Sequence, residues 1–466
     1  MNMKLFYKSC IGLFCLTSAS VWSQVDNAPT QSVPAYGTDS SANNADVTDS
    51  RMLTPPPVSG QAYPTTFGSD ERSNYLRGGL AFTSAYTDNA IGSTSGKPVS
   101  DVSYSVAPFI GLDETTSRLH WVLNYAPGFT FYQRLSARNE ADQNATIDLQ
   151  YRLSPHVTFS ARDGFQKSSN VFNQLDGVAA AAAVSGGAQE PNFSVIAPIA
   201  DRLSNSGNAG ITYQFAANGM VGASGTFSNL HYPNQAEVPG LYDSSSQGGS
   251  VFYSFRVSKM NYIGATYQYQ RLVSYPLAGQ SETQTHTVFV FYTLYASSRI
   301  SLSLFGGPQH SDTVQPPLPP LNLQLPEARA WTPAAGGSMN WQGSVTNVAF
   351  SYSHIISGGG GLIGAVEMDS ASASIRQQLA RRLSGSIAGG YSQNHLLGFA
   401  SAGTTNGHTV SGSASLQQDF GQYLSVQLGY TRLHQDYSGV AVLAAAPNTN
   451  RESVSISYQF SRPLGR

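Results

Sequence analysis

The chain has 466 residues, of which 25 Lys+Arg and 27 Asp+Glu make only 11% charged, well below the roughly 25% of an ordinary soluble domain. Hydrophobic residues hold an unexceptional 41%, so the missing charge is replaced by Ser, Thr, Gly, Asn, Gln and 25 Tyr rather than by continuous apolar runs. This profile argues against a cytosolic enzyme and a helical membrane protein, and a formal net charge of −2 without a basic stripe argues against a nucleic-acid partner.

The first residues set a destination. Lys4 and Lys8 form a cationic start, Ile11 to Leu16 an apolar centre, and Val21-Trp22-Ser23 a small-residue exit. That order is a secretory signal peptide over residues 1–23, cut before Gln24. The apolar stretch is too short for a transmembrane anchor, which needs about 20 residues. Both cysteines, Cys10 and Cys15, lie inside it, so the mature chain is expected to contain none. Disulfides, thiol nucleophiles, cysteine metal sites and covalent haem are thereby excluded. Loss of the two lysines takes the formal charge from −2 to −4.

Residues 24–73 are rich in Ser, Asn, Asp, Thr and Pro, with Pro55-Pro56-Pro57, and show neither helical nor strand period. They read as a disordered leader. After Tyr75 apolar and polar residues alternate over stretches of about ten residues, the length of a tilted membrane-spanning strand. In the last of these, Val454, Ile456, Tyr458 and Phe460 point one way and Ser453, Ser455, Ser457 and Gln459 the other. The same period runs through Leu119 to Tyr125, Ala145 to Tyr151, Ile211 to Phe215 and Leu424 to Tyr430. From Val288 to Leu294 both faces are apolar, and the pattern alone does not orient that strand.

Tight turns separate pairs of these strands at Ser154-Pro155, Ala217-Asn218-Gly219, Lys259-Met260, Ser297-Ser298, Trp341-Gln342-Gly343, Ala380-Arg381-Arg382 and Gly421-Gln422, with a looser one at Asp113 to Ser117. The alternate connections are longer and more polar. Two strands flank each short turn and one more stands at each end, which predicts an all-β, antiparallel up-and-down barrel over residues 74–466. The expected count is about 18 strands, with 16 the alternative.

With its signal peptide, alternating strands, short turns opposite long loops and a final aromatic strand ending Tyr458-Gln459-Phe460, the chain resembles Gram-negative outer-membrane β-barrels of the porin-like kind. More narrowly it is similar to poorly characterised β-barrel porins, some of them associated with exopolysaccharide export. The resemblance implies a cell outer-membrane location, a periplasmic leader, and a channel that passes polar solutes or takes part in polysaccharide export. It also implies outer-membrane lipid, lipopolysaccharide and the barrel-assembly machinery as partners, and it leaves room for a periplasmic export partner. One departure is that Ser461 to Arg466 follow the terminal Phe460. A plugged structural or adhesive surface barrel and a barrel hydrolase are the alternative functions.

A barrel of this size encloses an aqueous channel unless plugged. Polar members of the alternating strands, Asn124, Asp148, Gln150, Arg152, Gln268, Gln270, Arg271 and Gln427, are the candidate pore lining. The longest connection, about Gln166 to Asn205, falls between the fifth and sixth strands, where general porins fold a loop inward. Asp176, Glu190, Asp201 and Arg202 could then line a constriction. Tyr104, Trp121, Tyr132, Tyr269, Tyr295, Tyr352 and Tyr437 fit interfacial girdles. Gly359-x-Gly361-x-x-Gly364 spells a dinucleotide fingerprint but lies in a Gly-rich outer loop without a βαβ context. The nine histidines show no metal-ligand spacing, and no catalytic motif, cofactor or metal site is expected. Glu367 and Asp369 could share a face, although the alternation breaks near Ser370.

Overall fold

The computed structural model describes residues 74–464 apart from 91–97, 171–198, 236–239, 277–278, 298, 316–326, 359, 363, 398–405 and 438–447. The signal peptide and leader, Asp176 and Glu190 lie outside the described residues. Eighteen strands are present: β1 (Tyr75–Thr87), β2 (Asp101–Thr115), β3 (Leu119–Tyr132), β4 (Glu140–Ser154), β5 (Val157–Asn170), β6 (Ile199–Ala216), β7 (Gly219–His231), β8 (Ser244–Ser258), β9 (Asn261–Ser274), β10 (Ser281–Ser297), β11 (Ile300–Val314), β12 (Ala328–Gln342), β13 (Thr346–Gly358), β14 (Ala365–Ala380), β15 (Leu383–Leu396), β16 (Asn406–Phe420), β17 (Leu424–Tyr437) and β18 (Asn448–Pro463). Each pairs antiparallel with its neighbours in sequence, and β1 pairs with β18 from Tyr75↔Pro463 to Thr87↔Arg451, which closes the sheet.

The two faces follow from the period of two. Val454, Ile456, Tyr458 and Phe460 on β18 are exposed on the outside, as are Leu424, Leu428 and Tyr430 on β17 and Phe350 and Tyr352 on β13. The inner face carries hydroxyls that satisfy one another across the strands: Thr83 with Ser455 at 2.9 Å, Ser353 with Ser370 at 2.7 Å, and Ser425 with Ser457 at 2.6 Å. A closed sheet with an apolar exterior and a polar interior is the architecture of an outer-membrane β-barrel. The eight short turns fall on the periplasmic end and the long connections on the extracellular end.

Pairing settles the register that sequence left open in β10. Val288, Val290 and Tyr292 are exposed to the outside, while Phe289 and Phe291 are 2% and 1% exposed and turn inward. The inward phenyls fit because a neighbouring strand offers no Cβ beneath them. A Cβ on Gly264 of β9 would lie 2.2 Å from the Phe291 ring. Strand β14 continues unbroken past Ser370 from Ala365 to Ala380, so the expected break in alternation there is absent. Three of the predicted girdle aromatics also face the lumen. Tyr132 and Tyr437 are buried inside the barrel, and Tyr295 meets the inward Tyr262 edge-on at 5.7 Å. Asp163 of β5 instead faces outward in the apolar band, with the Asn205 amide 3.5 Å away.

Leu428 and Gln427 are adjacent on β17 but on opposite faces. Leu428→Arg is expected to cost about 2–4 kcal/mol of barrel stability, and Gln427→Arg much less. Denaturant unfolding in phospholipid vesicles measures both, and equal losses would contradict the assignment of faces.

Candidate functional site

The functional space is the lumen, and its polarity is built strand by strand. Pairing directs Asn124, Asp148, Gln150, Arg152, Gln268, Gln270 and Gln427 to the inner face. Arg271 is the exception. It shares a face with the exposed Tyr267 and pairs with Gln284, so it stands outside the barrel beyond the apolar band. Adjacent residues of a strand cannot both point inward, and Gln270 holds the inner position through a 2.9 Å bond to Ser246 Oγ.

The inner wall is unevenly filled along the barrel axis. In the periplasmic half of β4 to β6 the inward Asp148, Gln150, Arg152, Ser160, Arg162, Ser206 and Asn208 are all exposed, so water reaches them. Asp148 stands opposite Arg162 in the register, which gives this wall one negative and two positive groups with Arg152. In the extracellular half the inward Asp142, Asn144, Thr283, Thr285, Thr287 and Ser411 are buried. The extracellular half is crowded, whereas the periplasmic half is open along β4 to β6 and lined elsewhere by buried inward residues such as Met220, Ser254, Thr293, Gln417 and Ser425.

The crowding has a definite source. Strand β5 extends to Asn170 and β6 begins at Ile199, so Asp201 and Arg202, predicted in a constriction loop, belong to a wall strand. Alternation turns Asp201 outward and Arg202 inward. Two other connections meet over the lumen. The one after β7 brings Tyr232 and Leu241 inward, each 1% exposed, and the tip between β13 and β14 brings Leu362. They form one apolar cluster with Leu230, Val366, Met368 and Tyr437, joining β7 to strands at least seven places away around the wall. The Tyr232 hydroxyl donates to Gly360 O at 2.9 Å, and Tyr242 N–H donates to Gly361 O at 2.7 Å. Burial pushes the Tyr232 phenol above its ordinary range, so it remains a donor near neutral pH. Asp243 closes the base of the first connection by accepting from Tyr232 N–H at 2.9 Å and contacting His231 Nδ1 at 2.6 Å.

The tip turns on glycine. Gly360, Gly361 and Gly364 have φ of 62°, 110° and 85°, where a Cβ is strained. The fingerprint-like glycines thus serve a turn between two antiparallel strands. The signal that could have found this cap was an apolar Leu362-Ile363 pair directly after a run of four glycines, in a connection otherwise made of glycine alone.

Histidines also gather where sequence spacing gave no hint. His286, His310, His354, His408 and His434 all stand on the outer face near the extracellular strand ends, and His286 pairs directly with His310. His354 lies between two carboxylates, with Nδ1 2.9 Å from Asp369 and Nε2 3.0 Å from Glu367, and Tyr352 donates to Asp369 at 2.8 Å. Glu367 and Asp369 therefore do share a face, bridged by an imidazole. Among the described residues no group of three such side chains is arranged to hold a metal ion.

No protein-family model matches the chain, and no curated protein matches it. Among solved structures it is similar to the outer-membrane porin OccK2 (OpdF) of Pseudomonas aeruginosa, at 10% identity over 85% of this chain and 99% of that one, with a TM-score of 0.43. OpdQ of the same organism matches at 10% identity over 85% and 100%, TM-score 0.41. The ferric citrate transporter FecA matches at 8% identity over 77% of this chain, TM-score 0.40, and the chain spans 60% of its length.

Outside the barrel Arg271 forms a two-pronged pair with Glu282, Nε to Oε1 at 2.8 Å and Nη2 to Oε2 at 2.6 Å. Arg271 hydrogen bonding holds the Glu282 carboxyl below its ordinary range. Its stabilisation is therefore full above the ordinary carboxylate value of about 4.3 and is lost as pH falls through the lowered one. Amide exchange at the β9–β10 rim is expected to rise as pH falls through the lowered value, whereas in Arg271→Gln it is expected to be raised already at neutral pH and to change little on acidification. Identical profiles would show that the pair does not hold the rim.

Proposed function

We propose that the barrel is a channel for small polar solutes, wetted along the periplasmic half of β4 to β6 and capped at its extracellular end in the state described. The observation that carries this reading is the exposure of the inward Asp148, Gln150, Arg152, Arg162 and Asn208 on a wall sealed by backbone pairing. Side chains facing a filled interior would be buried. These face space that water occupies, and a barrel of this strand number is too wide for its side chains to fill.

Mixed charge at the wall suits solutes that need a wetted passage and gives only weak selection by sign. Export of a neutral polysaccharide is a narrower form of the same reading. It is favoured by the inward Tyr262 and Tyr295, whose rings near the periplasmic entrance offer a surface on which a sugar could stack. The exposed apolar residues of the outer face would meet outer-membrane lipid, and the rim of histidines and tyrosines above them the headgroups of lipopolysaccharide. The outward aromatic edge of β18 is the part we assign to recognition by the assembly machinery. A periplasmic export partner would meet the open end of the lumen.

The mature chain, reconstituted in planar bilayers, is expected to conduct, and Arg152→Gln with Arg162→Gln to shift the reversal potential toward cation preference. Conductance with an unchanged reversal potential would remove this wall from the ion path. A folded barrel that neither conducts nor releases small sugars from vesicles would overturn the channel.

A further inference from the structure

The wall has one seam unlike the others. Strands β12 and β13 pair only from Gln342↔Asn347 to Ala335↔His354, although β12 goes on pairing with β11 to Ala328 and β13 with β14 to Gly358. From His354 onward the β13–β14 hairpin leaves the wall and lies inside its neighbours. Ile356 packs on Leu272 of β9 together with Ala365, and Ile356 is 3% exposed. Its N–H, lost to the ladder, donates instead to Gln309 Oε1 on β11 at 3.2 Å, and Gly364 N–H donates to Ser274 Oγ at 2.8 Å. The sequence supplies a reason for the break. Two steps past the last pair, the register would set Ile356 opposite Pro333, which has no N–H to give.

We infer that this hairpin is the gate of the channel, and that it opens by leaving the lumen and re-pairing with the free upper end of β12. The inference rests on the channel reading above. Continuing the same register sets Ile355 opposite Ala334 and Ser357 opposite Thr332. Thr332 and Ser357 both have inward parity, so re-pairing would add one more hydroxyl pair to a wall that already has them at Ser353–Ser370 and Ser351–Ser372. In the tucked state Thr332 Oγ1 is buried with no hydrogen-bond partner, a desolvation that nothing there compensates. The hairpin is therefore held by the Ile356–Leu272 contact, the cap cluster and a few polar bonds, against a wall position that would satisfy an otherwise unpaired group. Movement outward also withdraws Leu362 from Tyr232 and Leu241, so the cap and the seam change together.

The absence of cysteine after residue 15 permits two clean traps. Leu272→Cys with Ile356→Cys would tie the hairpin to β9 inside the lumen, and Thr332→Cys with Ser357→Cys would tie it into the wall. The full barrel is reconstituted, each bond is scored by gel mobility, and conductance is read in oxidant and then in reductant. The expected result is that both bonds form, the first with loss of conductance that reductant restores, the second with a raised conductance that reductant lowers. Failure of the Thr332–Ser357 pair to cross-link in a folded barrel would overturn the re-pairing, as would equal conductance in the two trapped states. If no form conducts, the channel reading fails by itself, while the cross-linking yields still decide whether the hairpin moves.

Discussion

In lipid no water is available to satisfy a peptide group, and this one constraint organises the molecule. Every N–H and C=O of a spanning segment must be paired within the protein. A chain with 11% charge and no long apolar run cannot meet that demand with helices. It meets it by joining β1, over its whole length, to β18. Closure then assigns each side chain by parity. Val454 and Ile456 go to lipid, and Ser455 and Ser457 go to the lumen, where their hydroxyls pair with Thr83 and Ser425. The wetted interior is thus a consequence of sealing the exterior.

The same constraint gives the β12–β13 seam its meaning. Where Pro333 withholds a donor the ladder stops, and the freed end of β13 donates its Ile356 N–H to the inward Gln309 rather than to β12. The break lies near the extracellular end, at the level of His354, where strands emerge from the apolar band. A local exception to pairing is tolerable there, and it frees a hairpin to cross the lumen. The lumen is consequently asymmetric, with exposed charge on the periplasmic half of β4 to β6 and an apolar cap outside.

Much of this was legible in the sequence because a barrel strand advertises itself by period. The eight turns, the strand number and the faces of β17 and β18 follow from alternation and turn chemistry. Parity also explains the misplacement of Arg271, since no strand directs both Gln270 and Arg271 inward. Other features depend on contacts between distant parts of the chain. Val288 to Leu294 is apolar on both faces and stays unoriented until Gly264 is seen to leave room for the Phe291 ring inside. The cap joins Tyr232 to Gly360, 128 residues apart, and local sequence has no means of announcing that contact. Tyr437 looked like a girdle residue because its neighbours alternate correctly, yet its hydroxyl pairs with Asn394 and Thr409 inside the wall.

The claim on which everything else depends is the closure of β1 on β18, and amide hydrogen exchange of the detergent-solubilised mature chain addresses it most directly. In a closed barrel the amides of β1 and β18 are expected to be as protected as those of β9 and β10, with faster exchange on the free stretch of β12 from Ala328 to Ala334. Exchange of β1 and β18 at the rate of the extracellular connections would mean an open sheet with two edges and would contradict the account.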